Sequence, residues 1–203
     1  MTRIIYLSVL VCTGILFYSC KNEVKQKDIS NQEVSAIKGD SIFTLSGDYH
    51  VMDSVKKVYY LIRHAEKDTI PKDNPGLTEK GLKRATALAD ILRATRVDGI
   101  YSSFFTRTLF TVDSLADIKV ISIKPYDHKN IRALVNEIES DDNLEAVVIV
   151  GHSNSTPALA NTLSGKQLFN QTFDENDYNN FIIIYEKING TKVALPLKYY
   201  TRE

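Results

Sequence analysis

From Lys57 onward the chain alternates short apolar runs with amphipathic stretches, and this alternation limits the fold more than any other feature. Val58–Ile62 is a continuous apolar run, as expected of a strand buried on both faces. Thr78 is placed to cap a helix running to about Thr95, with Leu82, Ala85, Leu88, Ala89 and Leu92 on one stripe. Gly99–Ser102 reads as a short strand. Phe105, Leu109, Val112 and Ala116 recur at helical spacing, and Val120–Ile123 reads as a further strand. Ile131, Leu134, Val135 and Ile138 make a clean amphipathic helix. Ala146–Val150 is the most apolar strand of this region. Thr156 and Pro157 suit a helix start, and Gly165 its stop. Phe181–Tyr185 and Lys192–Leu195 flank Asn189-Gly190, a hairpin signal. The expectation is an α/β three-layer sandwich, with a mostly parallel central sheet flanked by helices and made mixed by the terminal hairpin.

In such a sheet the ligand site lies beyond the carboxyl ends of the strands. The residues expected there carry chemistry. The first strand of the region ends in Arg63-His64-Ala65-Glu66, and the strand at 146–150 ends in Gly151-His152-Ser153-Asn154. Tyr101-Ser102-Ser103 leaves its strand shortly before Arg107. Arginine grips phosphate oxygens with a rigid fork of donors. A neutral histidine beside that grip is placed to attack phosphorus, and a second to stabilise charge on the oxygens. This fits phosphoryl transfer without a metal. No Asp/His set with metal-ligand spacing is present in the sequence.

Four ordered motifs carry a resemblance. Leu61-Ile62-Arg63-His64-Ala65-Glu66-Lys67, Leu77-Thr78-Glu79-Lys80-Gly81 with Arg84-Ala85, Tyr101-Ser102-Ser103 with Arg107-Thr108 and Thr111, and Val150-Gly151-His152-Ser153-Asn154 together resemble the histidine phosphatase superfamily. That superfamily includes phosphoglycerate mutases, acid phosphatases and phosphohistidine phosphatases, and the motifs cover about residues 57–160. The resemblance implies a phosphoglycerate mutase-like fold and no cofactor. It implies that His64 is the nucleophile, forming a phosphohistidine, that Arg63 and Arg107 bind the phosphoryl oxygens, and that His152 donates to them. Water then hydrolyses the intermediate.

The acid that protonates the leaving group is less marked. Two readings of Asp127 stand, a general acid or a cap for the helix that holds Ile131. Glu66 is the next candidate, against pairing with Lys67 or the backbone. His128 either contacts substrate or is exposed, and Asn154 either touches phosphate or caps a helix. Asp174, Glu175, Asp177 and Tyr178 lie in a polar loop that either contributes to a rim of the site or forms a solvated acidic face. Ile70 stands where mutase-like members often carry Asn, which favours hydrolysis.

The first residues, MTRIIYLSVLVCTGILFYSC, place Arg3 before an apolar run of about 15 residues, too short to span a bilayer core as a helix. With Ser19 before Cys20 they resemble a bacterial lipoprotein signal. The alternative is an uncleaved anchor or a plain signal. The organisation expected is a signal peptide at 1–19, a lipidated Cys20 with a flexible tether and a possible edge hairpin to 54, and a catalytic domain at 55–203. The tether is read from the polar stretch 21–38 and the hairpin from 41–55. Cys12 and Cys20 are the only cysteines, so the body has no thiol nucleophile. Lys+Arg and Asp+Glu are 25 each, which gives no support for nucleic-acid binding.

The expected activity is metal-independent hydrolysis of a phosphomonoester, a phosphorylated small molecule or envelope sugar phosphate. The protein would be exported and held at the cell-envelope membrane, in the periplasm or at the cell surface, through Cys20. The alternatives are a phosphohistidine phosphatase acting on a protein and a non-catalytic anion-binding protein that keeps the pocket.

Overall fold

The computed structural model describes residues 27–201. The expected signal peptide at 1–19, the expected lipidation site Cys20 and the start of the expected tether lie outside the described residues. The elements run β1 (Glu33–Lys38), β2 (Ser41–Thr44), β3 (Tyr49–Val51), β4 (Val55–Arg63), α1 (Glu79–Leu92), β5 (Gly99–Ser102), α2 (Thr106–Lys119), β6 (Ile123–Pro125), α3 (Ile131–Ser140), β7 (Ala146–Gly151), α4 (Ser155–Ser164), β8 (Asn180–Lys187) and β9 (Lys192–Tyr199).

One sheet takes all the strands, in the order β3-β2-β1-β9-β8-β4-β7-β5-β6. The pairs β1·β9, β4·β7, β5·β7 and β5·β6 are parallel. The other four are antiparallel. The sheet is therefore mixed rather than mostly parallel. Helical crossovers link the parallel strands β4, β5, β6 and β7, and hairpins join β1 to β2, β2 to β3 and β8 to β9. The parallel β1·β9 pair and the antiparallel β4·β8 pair join strands far apart in sequence.

Alternation along the central strands makes two cores. Val58, Tyr60 and Ile62 of β4, Val148 and Val150 of β7, and Phe181 and Ile183 of β8 face one side, with Leu88, Leu92, Val112 and Leu115 of α1 and α2. Tyr59 and Leu61, Val147 and Ile149, and Ile182 and Ile184 face the other, with Leu134, Ile138, Leu159 and Leu163 of α3 and α4. A period of two on strands covered by helices on both faces yields three layers.

Four expectations need correction. Residues 33–38, read as tether, are β1. Ile29, Val34 and Ile37 are fully buried in the α1/α2-side core, which anchors this segment. The edge hairpin expected in 41–55 is present, with β2 and β3 paired antiparallel at the sheet edge, and needs no correction. Leu82, placed on the buried stripe of α1, is half exposed, and the buried face is formed by Arg84, Ala85, Leu88, Ala89 and neighbours. Val120 does not begin a strand: it closes α2 in a left-handed conformation and is exposed, so β6 starts only at Ile123. Finally, α4 starts at Ser155 with Asn154 at its cap position, before Thr156.

Candidate active site

The parallel register of β4 and β7 pairs Arg63 with Gly151, so the residues that follow each of them come side by side. His64 N donates to the Gly151 carbonyl at 2.9 Å. The His64 and His152 rings meet edge to face, with centroids 5.5 Å apart. A β carbon on Gly151 would lie 2.7 Å from Ser155 Oγ and 2.9 Å from the Tyr126 hydroxyl, which explains a glycine at this close approach. Here β7 sits between β4 and β5, which the chain visits earlier, and this strand reversal opens a crevice at the carboxyl ends.

Hydrogen bonds fix both imidazoles. His64 Nδ1 lies 2.8 Å from the Ala65 carbonyl, which only accepts. Nδ1 therefore carries the proton and Nε2 keeps its lone pair. His152 Nδ1 is 3.4 Å from an Arg107 amino group, which only donates. His152 Nε2 is 2.7 Å from Ser103 Oγ and is thus the protonated nitrogen. Burial, followed by the Arg63 and Arg107 charges, lowers the His64 pKa to about 3. Burial, Arg107 and His64 lower that of His152 to about 3 as well. Both rings are neutral at ordinary pH.

Arg107 projects from the first turn of α2, half buried, with its guanidinium 4.5 Å over the Phe105 ring. Its Nε is buried without a hydrogen-bond partner among the described residues. His64, Lys67, Phe105, Arg107, His128, His152, Ser153, Asn154, Thr172 and Glu175 line a cavity of about 440 Å³. Apart from Glu175, its charged side chains are cationic, so it suits an anion. Among the described residues no group of three or more His, Cys, Asp or Glu side chains is placed to hold a metal ion.

The residues singled out from sequence fare differently. His64, Arg107, His152, His128 and Asn154 meet at the cavity. His128 packs edge to face on His152 and Phe105. Asn154 makes no side-chain capping bond to α4. Arg63 is fully buried and does not line the cavity. Its amino groups go to the carbonyls of Asp174, Glu175 and Asp177 and to the Glu175 carboxylate, and Tyr178 stacks on it at 4.4 Å. The acidic segment 174–178 is thus clamped to β4 through its backbone rather than forming a free solvated face. Glu66 is gripped at both oxygens by Arg84 at 2.8 Å, and Arg84 also donates to the Tyr199 carbonyl. Asp127 is exposed, accepts from the Lys129 amide and lies outside the cavity lining; the α3 cap is Asn130. The capping reading of Asp127 does not hold, because the chain turns once more before the helix begins.

Sequence reasoning did not find Lys67, Phe105 or Thr172 as lining residues. Lys67 directly follows the Arg-His motif and was within reach of a reading from position. Glu175 was read only as part of a rim loop or a solvated face, because it arrives through the Arg63 clamp.

Residues 59–128 match the family model of the histidine phosphatase superfamily (branch 1). No curated protein matches the sequence. Among solved structures, the protein histidine phosphatase SixA complexed with tungstate aligns with a TM-score of 0.51 at 14% identity, over 68% of this chain and 96% of that one. A phosphoglycerate mutase from Bacillus anthracis gives 0.57 at 13%, over 71% and 93%. A mycobacterial glucosyl-3-phosphoglycerate phosphatase gives 0.55 at 14%, over 71% and 100%. The chain has the fold of these proteins, and within it residues 59–128 carry the pattern of the histidine phosphatase superfamily.

Proposed function

We propose that this protein is a phosphatase that hydrolyses phosphomonoesters through a phosphohistidine on His64, without a metal. The observation that carries the reading is the His64 ring. Its Nδ1 proton is held by the Ala65 carbonyl, and Nε2 keeps a lone pair beside Arg107 and His152. A phosphoryl group in the cavity meets a neutral nucleophile, a guanidinium fork with a spare buried Nε–H, and a second imidazole.

His152 is equipped for its part by Ser103. A hydroxyl both donates and accepts, so Ser103 Oγ can turn and donate to Nε2. With a phosphoryl oxygen in place of the Arg107 amino group at Nδ1, the ring can then take the tautomer that carries its proton on Nδ1 and donate it to that oxygen. Arg63 serves the site indirectly, holding the 174–177 segment at the rim. Positioning and neutralising a compact charged group is most of what phosphoryl transfer asks of a protein.

A phosphorylated small molecule, such as an envelope sugar phosphate, is the substrate class we favour, in keeping with the phosphatase of glucosyl-3-phosphoglycerate among the structural neighbours. The SixA neighbour makes a phosphohistidine peptide the second substrate to try. We further propose an exported protein lipidated at Cys20, testable by radiolabelled palmitate incorporation in the wild type and in Cys20→Ala.

The test of the activity uses the full chain in chelator with a 32P-labelled aryl phosphate. Label should enter the protein as an acid-labile adduct and be absent in His64→Ala. Phosphate binding without labelling of the wild type would instead identify an anion-binding protein.

A further inference from the structure

A phosphohistidine route needs a group that gives a proton to the departing alcohol, and neither carboxylate expected from sequence reaches the cavity. Asp127 is exposed on its turn, and Glu66 is locked in the Arg84 fork. Among the described residues, Glu175 is the one carboxylate in the cavity lining. It is also held in place. Its Oε1 accepts from Ser153 Oγ at 2.6 Å, and its Oε2 from the buried Arg63 at 3.1 Å. Arg63 grips the Glu175 carbonyl as well, at 3.0 Å. Main chain and side chain are thus fixed together, next to the residue that follows His152. The Glu175 side chain remains 69% exposed, so it stands at the mouth, where a leaving group departs to solvent.

We infer that Glu175 is the proton carrier of this site, an assignment that rests on the phosphatase reading above. In the first step a bond forms between His64 Nε2 and phosphorus, and the bond from phosphorus to the ester oxygen breaks. That oxygen takes the proton of the Glu175 carboxyl and leaves as the alcohol. In the second step a water oxygen bonds to phosphorus and the P–N bond breaks, its electron pair returning to Nε2. The Glu175 carboxylate takes a proton from the water, and inorganic phosphate leaves. The carboxyl is regenerated over the cycle.

The groups around Glu175 hold its carboxyl below the usual carboxylate range. Ser153, Arg63 and Lys67 lower its pKa, and Asp174 opposes them. Arg107 and Tyr178 also face it. A phosphoryl group bound beside it adds negative charge and draws a proton onto the carboxylate. This opposes the lowering by Ser153, Arg63 and Lys67, and the geometry of the carboxylate at the cavity mouth carries the assignment.

The test compares single-turnover phosphorylation of His64 in the full-length wild type and Glu175→Gln, with 4-nitrophenyl phosphate and with propyl phosphate. The nitrophenolate leaves without a proton, whereas the propanol oxygen needs one. With the alkyl ester the variant should be slower by about 100-fold or more, and with the aryl ester by less than about tenfold. The amide oxygen of Gln still accepts from Arg63, so the loop stays clamped. Equal slowing on both esters, or none on either, would overturn the assignment and leave Glu175 as a holder of Arg63. A wild type that forms no phosphohistidine from either ester would overturn the phosphatase reading, and this inference with it.

Discussion

The imidazoles of His64 and His152 stand edge to face, 5.5 Å between centroids, each at the end of one of two paired parallel strands. Neither carries a nearby carboxylate partner on its ring nitrogens; their neighbours are a carbonyl, a hydroxyl and a guanidinium. Burial and positive neighbours therefore act together on both, and each has its pKa lowered to about 3.

This has a stability consequence with a definite sign. In the unfolded chain both histidines take up protons below about pH 6.5, while in the folded protein they stay neutral down to about 3. Between these values the unfolded state binds more protons, so stability falls as pH falls through the window. Thermal unfolding should show a lower Tm at pH 5 than at pH 7.5. Inorganic phosphate, the ligand of the proposed reading, should restore part of the loss. His64→Ala should flatten the profile. A Tm that does not respond to pH between 5 and 7.5 would contradict neutral buried imidazoles.

Arg63 is expected to matter more for architecture than for direct contact with phosphate. Replacing it by Leu leaves the carbonyls of Asp174, Glu175 and Asp177 without their donor. A cost of about 3 kcal/mol follows from exposing such groups unpaired. Glu175→Gln removes only the exposed end of the ion pair and should cost less than about 1 kcal/mol. Urea titration measures both, and hydrogen exchange should show the 174–178 amides losing protection only in Arg63→Leu.

Gly81 should reverse a familiar rule. In most helices Gly→Ala stabilises by about 1 kcal/mol. Here the added β carbon would collide with the Glu66 carbonyl oxygen and press on Leu77. Gly81→Ala is expected to destabilise by about 2 kcal/mol. Because Glu66 lies two residues from His64, phosphorylation of His64 should slow as well. A stabilised Gly81→Ala protein would show that α1 yields freely at this contact.

A chain beginning at residue 39 is expected to fold poorly beside one beginning at residue 27. The shorter chain lacks Ile29, Val34 and Ile37, each fully buried, at about 1.5–3 kcal/mol of burial apiece. It also strips β2 and β9 of a neighbour. Comparing the two by soluble yield and Tm settles the point.

The difference between legible and hidden parts has physical causes. The strands at 58–62, 99–102, 146–150 and 181–185 were readable because burial on both faces leaves uninterrupted apolar runs. β1 was not readable. A register shift between Val34 and Ala36 breaks the period of two, so its buried Val34 and Ile37 fall three apart in a polar stretch. The strand expected at Val120 failed because an exposed valine in a left-handed conformation closes α2, where glycine is the usual signal. In the site, His64, Arg107 and His152 could be placed because strand ends converge by topology. Glu175 could be read only as part of a rim loop or a solvated face, because a fully buried arginine holds it through main-chain carbonyls that no side-chain pattern records.

The pairing of β1 with β9 orders events in folding. Glu33 sits beside Lys198 and Val34 beside Tyr199, so β1 meets its sheet neighbour only after every other element has been synthesised. Until then the β1–β3 ribbon can form its local turns yet has no sheet to join, and the apolar side chains of Val34 and Ile37 lack the main part of their core. Contacts of such sequence separation form late and slowly. A nascent chain of this design stays incompletely folded until synthesis reaches β9.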